Sequence, residues 1–274
     1  MKNKLVTLLA AAIGLTAIGL ASPGLKARQT VQTELLDIIK QDVSSSTLSY
    51  DIVESLTTEV GARMVGTPGA DAATDWAVAK MKALGFDNVW VEESQAQLWQ
   101  RGDLTASITA PYPHKVVAIA LGGSVGTNGQ PINAEVAYFD DLTALQAAPQ
   151  GSLKGKIAYV GYRMERHIDG HGYGKAVGAR VAGASAAAKK GAMAFIMRSV
   201  GTDTNRIGHT GMMRYEEGVV KIPAVALSNP DADLLENMLR REQPVTFSLN
   251  TSASGPTGDT VTIANVIGEV TGAE

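Results

Sequence analysis

Apolar positions along the chain fall into three successive patterns. A continuous run at the N-terminus gives way to helical spacing up to about residue 84, and strands interleaved with helices follow. Between residues 29 and 84, Val31, Leu35, Leu36, Ile38 and Ile39 recur near the 3.6-residue period, predicting a helix that Ser44, Ser45 and Ser46 interrupt. Ile52, Val53, Leu56 and Val60 predict a second helix over 49–60. A third follows the turn Gly66-Thr67-Pro68-Gly69, carries Ala72, Trp76, Ala79, Met81 and Leu84, and stops at Gly85 in the manner of a C-terminal cap.

Residues 88–93 and 98–110 alternate as strands do, and 116–121 is a short apolar run suited to a buried strand. From about Pro131 the texture changes. Strands are predicted at 134–139, 155–160, 192–198, 225–227 and 245–250, with helices at 141–147, 176–190 and 230–240, the last capped by Asn229. A Gly/Ser/Thr/Pro stretch, 251–259, reads as a linker, and 261–270 is one further strand. The class is α/β in the α+β sense: helices, then strands of an incomplete mixed sheet, then a second mixed sheet with helices. The last strand is odd, because an isolated edge strand cannot bury its own face.

The leading run has the layout of a secretory signal peptide. Lys2 and Lys4 precede an apolar stretch from Leu5 to Leu20, then Ala21, Ser22 and the breaker Pro23. The run is about 16 residues, short of the roughly 20 a spanning helix needs. Residues 1–21 are assigned to the signal, with cleavage as late as residue 27 left open. The expected location is secreted or periplasmic, with no membrane association after cleavage. Hydrophobic content of 45% and charged content of 19% suffice for a buried core. A net charge of -3 supplies no basic field for nucleic acid. Cysteine is absent, which excludes disulfides, thiol nucleophiles, Cys-ligated metal sites and a lipoprotein anchor.

Candidate chemistry is sparse. His167 and His171, four apart with Asp169 between them, have residue types that bind zinc. Gly170, Gly172 and Gly174 argue against a helix there, so the plainer reading is a surface loop with two exposed histidines. Gly122-Gly123-Ser124-Val125-Gly126 spells a nucleophile elbow, but a turn follows it where the elbow requires a helix. Gly172, Gly174 and Gly178 lack the preceding strand and the acidic partner of a dinucleotide loop.

Two longer stretches carry a resemblance. Leu56-Thr-Thr-Glu-Val-Gly-Ala-Arg63-Met-Val-Gly66-Thr-Pro-Gly69, with the helix ending Met81-Lys-Ala-Leu-Gly85-Phe, resembles the opening of exported zinc exopeptidases of the carboxypeptidase Q and aminopeptidase Y family. Gly155-Lys-Ile-Ala-Tyr-Val, Gly183-Ala-x-x-Ala-Ala-Lys-Lys-Gly191-Ala and the segment from Gly208 to Pro223 resemble the protease-associated domain inserted in those enzymes. The likeness runs from about residue 33 to 274. It implies a partial peptidase domain at 29–130, a protease-associated domain at 131–252, and a linker with a returning strand at 253–274.

The resemblance also implies an activity: removal of terminal residues from peptides or dipeptides by two zinc ions, held by His, Asp and Glu ligands beside a Glu general base. In the family those ligands begin in a His-x-Asp segment after the strand that Asn265-Val-Ile-Gly268-Glu-Val-Thr-Gly272 resembles. His167-Ile-Asp169 copies the motif in letters only, because it falls inside the inserted domain. The expectation is therefore an N-terminal portion, cut short before its metal ligands, with no catalytic residue and no zinc at a catalytic site. His209, Thr210 and Tyr215 are the residues expected to face substrate, against the alternative of a turn held by side-chain hydrogen bonds. A stand-alone binding module and a companion to a separately encoded catalytic half are the rival readings, and a homodimer of the intact protein stays open.

Overall fold

The computed structural model describes residues 23–255 and 257–272, with side chains described from residue 33 onward. The signal-peptide assignment at 1–21 lies outside the described residues. The chain divides into two compact units, residues 1–61 and 62–274. In the first, helix α1 (Pro23–Ser45) ends within the serine run, and α2 (Leu48–Ser55) passes into a π-helical turn, Leu56–Val60. The wider turn is closed where the Gly61 amide donates to the Leu56 carbonyl at 3.2 Å. Gly61 then leaves at φ +72°, a conformation open to glycine without a Cβ penalty. Leu35, Leu36, Ile38, Ile39 and Val43 on α1, and Tyr50 and Val53 on α2, are all exposed. On the described part of α1 the apolar stripe read from sequence is exposed, whereas Ile52, Leu56 and Val60 of the second helical stretch are half-buried.

The second unit opens with α3 (Pro68–Ala83) and strand β1 (Asn88–Gln97). β1 pairs antiparallel with β10 (Thr260–Glu269) over ten residue pairs, from Asn88↔Glu269 to Gln97↔Thr260. Met81 of α3 packs closely on this ribbon: a Cβ on Gly268 would lie 3.0 Å from its sulfur and 2.6 Å from the Phe86 ring. Everything between β1 and β10 feeds a second sheet. In chain order come β2 (Leu104–Ala110), β3 (His114–Lys115), β4 (Ala118–Ala120), β5 (Ile132–Phe139), α4 (Leu142–Ala147), β6 (Lys156–Val160), α5 (Tyr173–Lys189), β7 (Ala194–Arg198), β8 (Ala224–Leu227), α6 (Asn229–Leu239) and β9 (Thr246–Thr251). Their spatial order is β3-β2-β9-β5-β6-β7-β8-β4, parallel from β5 to β8 and antiparallel elsewhere.

Two-residue alternation assigns the faces. Ala158, Val160, Phe195 and Met197 point to α5, against Ala176, Ala179, Ala184 and Ala187. Ile157, Tyr159, Ile196 and Val225 point the other way, against Ala232, Leu235 and Met238 of α6. Both faces of the central strands are thus buried, which explains why they read as apolar runs. On the α6 side Arg198, 1% exposed, donates through Nη2 to Asp233 (2.6 Å) and Glu236 (2.8 Å) and through Nη1 to the Asn229 carbonyl (3.3 Å). Burial alone would lower its pKa, yet Tyr159 and the bonds to Glu236 and Asp233 outweigh that and raise it. Removing one partner of such a buried set costs on the order of 3–5 kcal/mol, since a charge is left uncompensated.

The structure departs from the sequence reading in three places. The strand expected from residue 98 begins at Leu104, because 98–103 is tied elsewhere: Trp99 Nε1 donates to the Ser124 carbonyl at 2.9 Å. Segment 104–120, which the resemblance groups with 29–130, runs in the eight-stranded sheet through β2–β9 and β4–β8 pairing. Ser228 rather than Asn229 caps α6, its Oγ accepting from the Asp231 amide at 3.2 Å.

Gly183 tests the α5 interface. A Cβ there would fall 2.2 Å from Cζ of the buried Phe195. Gly183→Ala is expected to destabilise the chain by about 1–3 kcal/mol through overpacking, and adding Phe195→Leu should recover part of that loss in thermal melts. A Gly183→Ala melt equal to that of the unaltered chain would contradict this packing.

Candidate functional site

The three residues singled out from sequence lie on the long connection, residues 199–223, between β7 and β8. This connection is stitched to the segment after β4. The Gly122 amide donates to the Gly211 carbonyl and the Met213 amide to the Gly122 carbonyl, both at 2.9 Å. Close approach depends on glycine at both ends. A Cβ on Gly122 would sit 2.7 Å from the Met212 sulfur, and one on Gly211 would sit 2.5 Å from Cζ of Arg180.

Each of the three side chains takes its own partners. His209 Nε2 lies 2.9 Å from Asp203 Oδ2, and its amide donates to Ser199 Oγ at 2.8 Å, leaving the imidazole about half exposed. Thr210 Oγ1 donates to the Ala120 carbonyl (2.9 Å) and accepts from Arg101 Nη1 (3.1 Å). The Tyr215 hydroxyl donates to the Ile222 carbonyl (2.6 Å) and accepts from the Val125 amide (3.0 Å). Burial pushes that hydroxyl upward in pKa, only partly offset by the hydrogen bonds it accepts. Thr210 and Tyr215 therefore act as braces of the connection, while His209 with Asp203 offers a polar surface.

Ser124 is fully buried. Its Oγ donates to the Val125 carbonyl at 2.9 Å and accepts from the Ala224 amide at 2.8 Å. A hydroxyl committed in this way tethers the Gly-rich turn to β8, and the serine-elbow spelling is accidental.

Beyond β6, residues 161–172 form the glycine-rich surface loop anticipated from sequence, with both histidines exposed. Their rings nevertheless lie together, centroids 3.6 Å apart, and Glu165 Oε2 is 3.3 Å from His167 Nε2. Among the described residues this is the one group of three His, Asp or Glu side chains within ligating reach of each other. Sequence reasoning missed Glu165, because the carboxylate precedes the histidines and is brought in by loop closure. A separate open cleft of about 780 Å³ lies between α3 and the β1–β10 ribbon, lined by Arg63, Asp71, Asp75, Met81, Val91 and Glu93 among others. Among the described residues, no helix is long and apolar enough to cross a membrane.

No family model matches the chain. It is 31% identical over 227 residues to carboxypeptidase Q of Bos taurus and 32% identical over 228 residues to that of Mus musculus. Each match takes in 82% of this chain and 46% of the relative, so the chain spans about half the length of the curated relatives it matches. In structure it is similar to a peptidase M28 precursor from Shewanella amazonensis, with a TM-score of 0.84 and 48% identity over 89% of this chain and 55% of the other. The resemblance to the exopeptidase family of carboxypeptidase Q drawn from the sequence therefore holds, as does the mixed α/β class.

The bracing roles predict an asymmetry among variants. Tyr215→Phe and Ser124→Ala each leave a buried amide without its acceptor and are expected to cost about 1–3 kcal/mol. His209→Ala, at a half-exposed position, should stay within about 0.5 kcal/mol. Equal losses for all three in denaturant melts would contradict the assignment.

Proposed function

We propose that these residues are the N-terminal portion of a secreted, zinc-dependent exopeptidase, an amino- or carboxypeptidase acting on peptides or dipeptides, and that they are not catalytic alone. The observation that carries this reading is the β1–β10 ribbon. Two strands without a third are marginal in water, and here Trp90 and Val91 of β1 are exposed, Val91 lining an open cleft. Such a ribbon suits a sheet to which further strands are added. Matches covering 46% and 55% of the relatives support the same reading.

In this proposal residues 1–21 direct export, α1 to α3 and the ribbon belong to the peptidase domain, and the eight-stranded sheet with its helices is the protease-associated domain. His209, Thr210 and Tyr215 sit on the face toward substrate, with His209 and Asp203 offering the polar contact and the other two holding the connection in place. Zinc in the relatives' chemistry polarises a carbonyl and lowers the pKa of water. The described residues do not fit that role: Glu165, His167 and His171 precede β10, whereas the resemblance puts the ligands after it. No hydrolytic step is derived from them.

A second reading, a stand-alone binding module, is favoured by the eight-stranded sheet, whose two faces carry self-contained cores. One assay separates the two. The purified chain, supplied with zinc and dipeptide substrates, is expected to show no turnover; hydrolysis abolished by a chelator would overturn the proposal. Coding DNA downstream of the Glu274 codon is expected to specify His-x-Asp and then Asp-Asp-Gly. Its absence, together with a monodisperse chain that captures peptide, would favour the module.

A further inference from the structure

We infer that the loop between β6 and α5 is a divalent transition-metal site, with Glu165, His167 and His171 as ligands and Asp169 as the group that orients His171. The site is independent of the exopeptidase reading. Its chemistry is that of a two-imidazole, one-carboxylate set, which suits Zn²⁺ and its spectroscopic substitute Co²⁺.

The geometry supports ligation at three points. First, the ligating atoms of the three residues all lie within 4.8 Å of one another. The Glu165 Oε2 to His167 Nε2 separation of 3.3 Å matches the edge of a tetrahedron with bonds of roughly 2.0–2.1 Å, which is roughly 3.3 Å. Second, His171 Nδ1 lies 2.8 Å from Asp169 Oδ1. A carboxylate there accepts a hydrogen bond from Nδ1–H and leaves the Nε2 lone pair for a cation, an arrangement common at metal-bound histidines. Asp169 Oδ1 also accepts from the His171 amide at 3.1 Å, which fixes the carboxylate beside the ring.

Third, the backbone is built to bring these groups together. The Gly170 amide donates to the His167 carbonyl at 3.2 Å, and Gly170 has φ +69°, turning the chain between the two histidines. Gly172 crosses Glu165 so closely that a Cβ would lie 2.8 Å from the Glu165 carbonyl oxygen. A side chain at Gly172 would press on the Glu165 backbone, whereas Gly170 matters through its positive φ alone.

The test uses the 274-residue chain without a histidine tag, titrated with Zn²⁺ by calorimetry and with Co²⁺ by visible absorption. One equivalent is expected to bind, with d–d bands of a nitrogen- and oxygen-ligated Co²⁺. His167→Ala and His171→Ala should each weaken binding by about 100-fold or more, and Asp169→Asn by about 10–100-fold. His209→Ala, at a histidine outside the loop, should leave it unchanged. All four positions are on exposed or half-exposed surface, so circular dichroism should report an unaltered fold. Binding that persists in the His167→Ala/His171→Ala double variant, or no binding by the unaltered chain at 100-micromolar-order metal, would overturn the assignment.

Discussion

A guanidinium withdrawn from water can persist only where its surroundings answer every donor, and that requirement organises the eight-stranded domain. Arg198 stands at the end of β7, and the acceptors it needs lie on α6: Asp233, Glu236 and the carbonyl of Asn229. Glu236 is engaged a second time by the Tyr159 hydroxyl on β6 at 2.7 Å. Gly161, just past that strand, leaves the space in which this carboxylate fits; a Cβ there would lie 2.9 Å from Glu236 Oε1. The helix is thus fixed in rotation and in register along the sheet, a specificity that an apolar contact alone would supply less sharply. Its N-terminus is fixed as well, since Asp231 accepts from the Val117 amide beside β4 and pairs with Arg206 of the β7–β8 connection.

The opposite face is held differently. Alanines and Gly183 of α5 bring its backbone near Phe195 and Met197, so stability there depends on close approach and few voids rather than on paired charge. The two faces bury β7 and β8 on both sides and most of β6, and the connections at their ends carry the polar surface: His209 with Asp203 after β7, and the histidine loop after β6. Rigid layers below and polar loops above are a familiar division of labour between scaffold and site.

Much of this was legible in the residues. The serine break between α1 and α2, the stop of α3 at Gly85 and the strands flanking α5 each follow from local pattern, because periodicity and helix termination are local properties. Sheet membership was not legible. Residues 104–120 alternate convincingly, but nothing within them says that β2 pairs with β9, more than a hundred positions onward. The site was legible only in part. His209 stood in a stretch of dense resemblance, yet the commitment of Thr210 and Tyr215 to carbonyls and amides depends on partners distant in sequence. Glu165 stayed hidden because its proximity to the histidines is set by a backbone crossing at Gly172.

Pairing of β1 with β10 has a consequence for biogenesis. A ribosome releases β1 long before its partner exists: roughly 160 residues separate them, and at ~5–20 residues per second the delay is about 10–30 s. During that interval the intervening domain, whose sheet draws on residues 104–251 alone, has time to fold and bring its two ends together. Once it has done so, the ribbon zips across a short gap instead of a long loop, at much smaller entropic cost. Until then β1 presents an unpaired edge carrying Val89, Trp90 and Val91, the kind of segment a nascent-chain chaperone shields.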